Sequence, residues 1–75
     1  MELRHLRTLE AIARHGSFTR AAEELHLAQS ALSQQVRRLE AELGVEVLRR
    51  TSRTVTVTQA GEVVLDYAQI GRAHV

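Results

Sequence analysis

Three observations predict a mainly helical fold with one short two-stranded ribbon. Apolar residues recur at helical spacing from Leu3 to Leu43. The period then changes to strand-like alternation at Val45, Val47, Val55 and Val57, with a polar run between the two pairs. Helical spacing returns after Thr58, and no Pro interrupts any element.

Leu3, Leu6, Leu9, Ile12 and Ala13 predict a first helix over about 2–15, which Gly16 stops. Ser17 is a good N-cap for a second helix over about 18–25, with Phe18, Ala21, Ala22 and Leu25 inward. A third helix follows over about 29–43 and ends at Gly44. Ala28 stands where a capping hydroxyl is expected and forgoes ~1 kcal/mol, a loss that good packing of Leu25, Leu27 and Leu32 would offset. Val45 and Val47 start a first strand, Arg49–Thr54 forms a basic loop, and Val55 and Val57 return as a second strand. Thr58 caps a fourth helix from Gln59, which is expected to break at Gly71.

The third helix carries the chemistry. Around Leu32, the residues Val36, Leu39 and Leu43 fall in one narrow arc and read as core. Ser30, Ser33, Gln34 and Arg37 cluster on the opposite side. A dry back with a front of hydroxyls, an amide and a guanidinium suits the donor and acceptor edges of the DNA major groove. Spacing alone leaves a solvated helix surface equally open.

Composition narrows the function classes. At 75 residues the chain holds one small domain, and such a domain buries only ~60% of its unfolded surface. No Cys is present, so disulfides and thiolate metal sites are excluded, which fits a reducing cytoplasm. No apolar run approaches the ~20 residues of a membrane span, and the N-terminus lacks a signal-peptide shape. Phe18 and Tyr67 are too few for a single-strand stacking platform. His5, His15, His26 and His74 contain no i, i+4 pair, the glycines stand alone, and no nucleophile motif is present. Neither an enzyme, a cofactor nor a metal site is expected.

The net charge of +1 hides a focus. Residues 1–44 balance, whereas 45–58 set Arg49, Arg50 and Arg53 against Glu46 alone. All ten basic residues are Arg. Guanidinium forks suit phosphate and guanine, although codon usage in a GC-rich genome would give the same bias.

From residue 2 to about 69 the chain resembles the N-terminal domain of LysR-type transcriptional regulators. The resemblance rests on Gly16-Ser17-Phe18, Ala21-Ala22, Leu25, Ser30-Ala31-Leu32-Ser33, Leu39-Glu40, Leu43-Gly44, the run RRTSRTVTVTQAG and Thr58-Gln59-Ala60-Gly61. It implies a winged helix-turn-helix: a three-helix core, a two-stranded wing, and the start of a linker and dimerisation helix. It also implies a cytoplasmic, sequence-specific partner of double-stranded DNA. Gln29, Ser30, Ser33 and Gln34 would read bases. Arg37 and Arg38 would lie at or near phosphates, with Arg50, Thr51 and Arg53 of the wing on the backbone or minor groove. Arg37 and Arg38 could instead simply make helix-surface pairs with Glu40 and Glu42, Arg38 more so.

Domain boundaries on this reading are 1–58 for the DNA-binding part, 59–69 for the start of the dimerisation helix with Val63, Leu65 and Tyr67 exposed, and 70–75 for a non-native tail. The tail Ile-Gly-Arg-Ala-His-Val is also what a common sequencing-adapter string encodes, so the natural protein is expected to be longer. The family acts as homodimers or tetramers and meets its small-molecule effector through a further C-terminal domain. Three positions depart from the family's habit: Gln34 for a frequent Arg, Ser30 for a common Pro and Leu48 for a frequent Phe. Gln34 gives up a guanine contact and suits adenine. The rival reading is a protein-interaction module using the same helix and wing.

Overall fold

The computed structural model describes residues 2–51 and 53–73, with side chains through Tyr67. Helix α1 (Leu3–His15) turns His5, Thr8, Leu9, Ala11 and Ile12 inward. Gly16 closes it in the left-handed region at φ 65°, its N–H bonding the Ile12 carbonyl at 2.8 Å. Another L-residue there would cost ~1–2 kcal/mol. The Ser17 hydroxyl accepts the Arg20 N–H at 3.2 Å and starts α2 (Phe18–Leu25). Helix α2 ends at His26, also left-handed at φ 57°, and the next N–H, of Leu27, reaches back to the Ala22 carbonyl. Helix α3 (Gln29–Leu43) begins after Ala28, which supplies no side-chain cap, as expected.

These helices enclose the core. Leu9, Ile12, Leu32, Leu39 and Val47 are fully buried, with Phe18, Ala21, Ala22 and Val36 around them. Burial of such side chains contributes roughly 1.5–3 kcal/mol each. The buried Thr8 hydroxyl donates to Gln35 Oε1 at 2.6 Å, tying α1 to α3. Three expected core leucines lie at its rim instead: Leu3, Leu27 and Leu43 are exposed. Each sits at or beside the end of its helix.

The ribbon starts later than the alternation of Val45 and Val47 suggests. Strand β1 is Leu48–Arg50 and pairs antiparallel with β2 (Val55–Val57), in the register Leu48↔Val57, Arg49↔Thr56 and Arg50↔Val55. Arg49 and Arg50 therefore belong to the strand, not to the loop. Residues 45–47 are held by α3: Glu40 Oε2 accepts the Val47 N–H at 2.8 Å and the Leu48 N–H at 3.5 Å.

Helix α4 (Gln59–Ala73) follows directly. Thr58 Oγ1 accepts the Gly61 N–H at 3.1 Å and donates to the Glu46 carbonyl at 2.6 Å. Gly61 is where the helix touches the foot of the ribbon. A Cβ there would run into the Val47 carbonyl and lie 2.6 Å from Val57 Cγ1. Val64 and Leu65 pack on the core, so Leu65 is half-buried rather than exposed; Val63 and Tyr67 face outward. The expected break at Gly71 is absent, since α4 continues to Ala73. An interior Gly weakens a helix by only ~1 kcal/mol and does not end it. His74 and Val75, the last part of the expected tail, lie outside the described residues.

Candidate nucleic-acid interface

The outward row of α3 has the composition expected. Gln29, Ser30, Gln34, Arg37 and Arg38 are exposed, and Ser33 is half-buried at the edge of the row. Leu32, Val36 and Leu39 hold the helix down on its other side. Gln29 is not wholly free: its Oε1 receives a long 3.5 Å hydrogen bond from the Thr19 hydroxyl of α2.

Two open clefts flank the wing. One, of about 280 Å³, lies between the starts of α2 and α3 and the ribbon tip, and is lined by Ser17, Thr19, Gln29, Thr51, Arg53 and Thr54 among others. The second, of about 370 Å³, lies between α3 and β1 and is lined by Arg37, Glu40, Glu46, Leu48, Arg49 and Arg50. The structure thus brings Arg53 together with Gln29, and Arg37 together with Arg49 and Arg50. Arg49 was not singled out from the sequence; its only signal was membership of the basic stretch.

The arginines are available for an anion. Among the described residues, Arg37, Arg38, Arg49 and Arg53 make no intramolecular ion pair. The surface pairing of Arg38 with Glu40 is not formed: two residues apart on a helix, the side chains do not face each other, and Glu40 is turned to the backbone of Val47 and Leu48. Arg50 behaves differently. Its guanidinium lies 4.1 Å from the centroid of the Phe18 ring.

Thr51 organises the wing tip rather than only facing outward. Its N–H donates to the Thr54 carbonyl at 2.8 Å. Its hydroxyl accepts the Thr54 N–H at 3.0 Å and the Arg53 N–H at 3.4 Å. A Thr hydroxyl can close a turn on its own backbone, and here it holds the N–H groups of Arg53 and Thr54. Arg53 is carried on this small frame.

Behind the interface, Arg14 makes a two-pronged pair with Glu24, at 2.6 and 2.7 Å, linking α1 to α2. His15 Nε2 lies 3.1 Å from the same carboxylate. The hydrogen bonds from Arg14 and then His15 lower the Glu24 pKa to about 2. Among the described residues, no group of His, Cys, Asp or Glu is placed to hold a metal ion, and no helix is long and apolar enough to cross a membrane.

A helix pair joined by a tight turn, with a ribbon against its flank, defines the winged helix-turn-helix class. The family described as "Bacterial regulatory helix-turn-helix protein, lysR family" matches residues 3–62, and the chain belongs to that family. It is 52% identical over 69 residues to the RuBisCO operon transcriptional regulator of Allochromatium vinosum, covering 92% of this chain and 23% of that protein. The chain therefore spans about a quarter of the length of that relative. In three dimensions it is similar to the BenM DNA-binding domain in complex with benA site 1 DNA, with a TM-score of 0.90 and 44% identity over 99% of this chain and 83% of that one. The CbnR DNA-binding domain in its DNA complex gives 0.88 and 37%, over 99% and 91%.

Proposed function

We propose that this chain binds double-stranded DNA in a sequence-specific way, as the DNA-binding part of a bacterial transcriptional regulator in the cytoplasm. The observation that carries the reading is the outward row of α3, uncharged at Gln29, Ser30, Ser33 and Gln34 and cationic at Arg37 and Arg38. Helix α3 enters the major groove, where the amides and hydroxyls read base edges. Arg37, Arg38 and the wing's Arg53 supply phosphate contacts, which give affinity and register rather than sequence. The similar BenM and CbnR domains are seen with DNA, which supports this placement. Two copies pair through α4, where Val63 and Tyr67 are exposed and Leu65 borders them. A small-molecule effector acts through a separate domain of the whole regulator. The tail from residue 70 is read as foreign to it.

Two substitutions test the division of labour. Gln34→Ala costs ~1–3 kcal/mol at one base position and relaxes preference there. Arg53→Ala weakens binding to all duplexes alike and lowers the salt slope by about 1. Affinities on a panel of duplexes across salt concentrations check both. A uniform loss for Gln34→Ala would remove its base-reading role. No measurable binding to any duplex even at low salt, where phosphate contacts are strongest, would remove the reading altogether and favour a protein partner.

A further inference from the structure

We infer that Arg50 is a positioning residue for Arg53, acting as a brace that stacks on Phe18 rather than as a phosphate contact of its own. The inference rests on the DNA-binding reading above and deepens it.

Strand geometry places Arg50 for this work. Side chains alternate faces along a strand, so Arg50 shares the face of the buried Leu48, while Arg49 points the other way. The inward face brings the Arg50 guanidinium to 4.1 Å from the Phe18 centroid. Phe18 is the first residue of α2, and its ring is otherwise enclosed by the core. A cation over an aromatic face is attracted by the ring quadrupole.

The contact sits at the point where the wing needs it. The foot of the ribbon is secured by buried Val47 and Leu48 and by Glu40. Among the described residues, the far end has one backbone tie to the helices, a long 3.4 Å bond from the Val55 N–H to the Gly16 carbonyl. Arg50 is paired with Val55 in the register, so both ties act at one rung. Immediately beyond that rung the Thr51–Thr54 frame begins and carries Arg53. A brace at the rung therefore fixes where Arg53 lies relative to α2 and α3.

The test is a double-substitution cycle with a mixed-sequence duplex, read across salt concentrations. Arg50→Gln weakens binding about two- to five-fold when Arg53 is present, the range of an exposed cation–ring contact. In an Arg53→Ala background the same change produces no further loss and no further fall in salt slope. In the DNA-free chain, NMR relaxation shows added fast motion at the Arg53 and Thr54 amides of Arg50→Gln, with the melting temperature reporting that the fold is intact. Equal losses in both backgrounds, with the slope falling by a further ~0.9, make Arg50 a phosphate ligand and overturn the inference. Unchanged relaxation at Arg53 overturns it as well. If Arg53→Ala itself leaves affinity and salt slope untouched, the DNA reading of the wing fails, and the relaxation measurement still decides the brace.

Discussion

The three-helix bundle and the two-stranded wing share the polar and basic side chains of the interface, yet different forces hold them. The bundle is fixed by interlocking apolar side chains from α1, α2 and α3, with Leu9, Ile12, Leu32 and Leu39 fully buried. Among the described residues of the wing beyond Leu48, the apolar anchors are the half-buried Val55 and Val57. Its geometry comes from individual polar ties: Glu40 on two backbone N–H groups, Thr51 on Thr54, and Arg50 on Phe18. Apolar burial is non-directional and tolerant of exchange. A charge-assisted hydrogen bond is directional and fails when one partner is lost. The bundle should therefore resist change as a unit, whereas the wing should lose order tie by tie.

The largest effect expected is in the bundle. Leu32→Ala removes a fully buried side chain at the centre of α3 and should cost ~2–5 kcal/mol, with all helices melting together in circular dichroism. A melt in which α3 frays alone would break the contrast. Glu40→Ala should cost ~1–3 kcal/mol by leaving the Val47 and Leu48 N–H groups without their acceptor. Hydrogen exchange should quicken at those amides and in the wing while α1 stays protected; uniform quickening would mean that bundle and wing are one cooperative unit.

A smaller effect tests the helical turn. His26 occupies the left-handed region at φ 57°, so His26→Gly relieves backbone strain and should gain ~0.5–1 kcal/mol after the entropic cost of glycine. No rise in melting temperature would show that the His26 side chain contributes to stability. The smallest effect belongs to the Arg14–Glu24 pair, which is solvent-exposed and screened. The Glu24 pKa is lowered from 4.5 to about 2 in the folded chain. Its contribution is complete above pH 4.5 and is lost as pH falls toward 2. Glu24→Gln should remove part of the acid sensitivity in that window and leave the melting temperature near neutrality almost unchanged.

The same contrast explains what the sequence made legible. The capping bonds of Gly16, Ser17, Gly44 and Thr58 reach neighbours within four residues, so these caps and the bounds of α2 and α3 could be read directly. Leu32, Val36 and Leu39 announced themselves by period. Val45 and Val47 misled, because their alternation imitates a strand while Glu40, seven residues before Val47, decides the local backbone. The family resemblance placed Arg50 in the wing, but its partner Phe18 is distant in sequence and only the fold brings them together. The hydrogen bonds of Thr51 were equally invisible, since a turn hydroxyl has no periodic signature. Leu65 was misplaced because one helix carries both a core-facing and an outward apolar side, and only packing separates them.

Gly61 leaves α4 seated directly against the Val47 carbonyl at the wing's foot. The missing methyl group sets the heading of a lever. From Gly61 to Ala73 the helix extends ~18 Å at ~1.5 Å per residue, so a tilt of ~10° at the seat swings the far end by ~3 Å. A side chain at position 61 would thus do more than crowd the core. It would re-aim whatever α4 carries, and with it the separation between α3 and the same helix of any second copy joined through that arm.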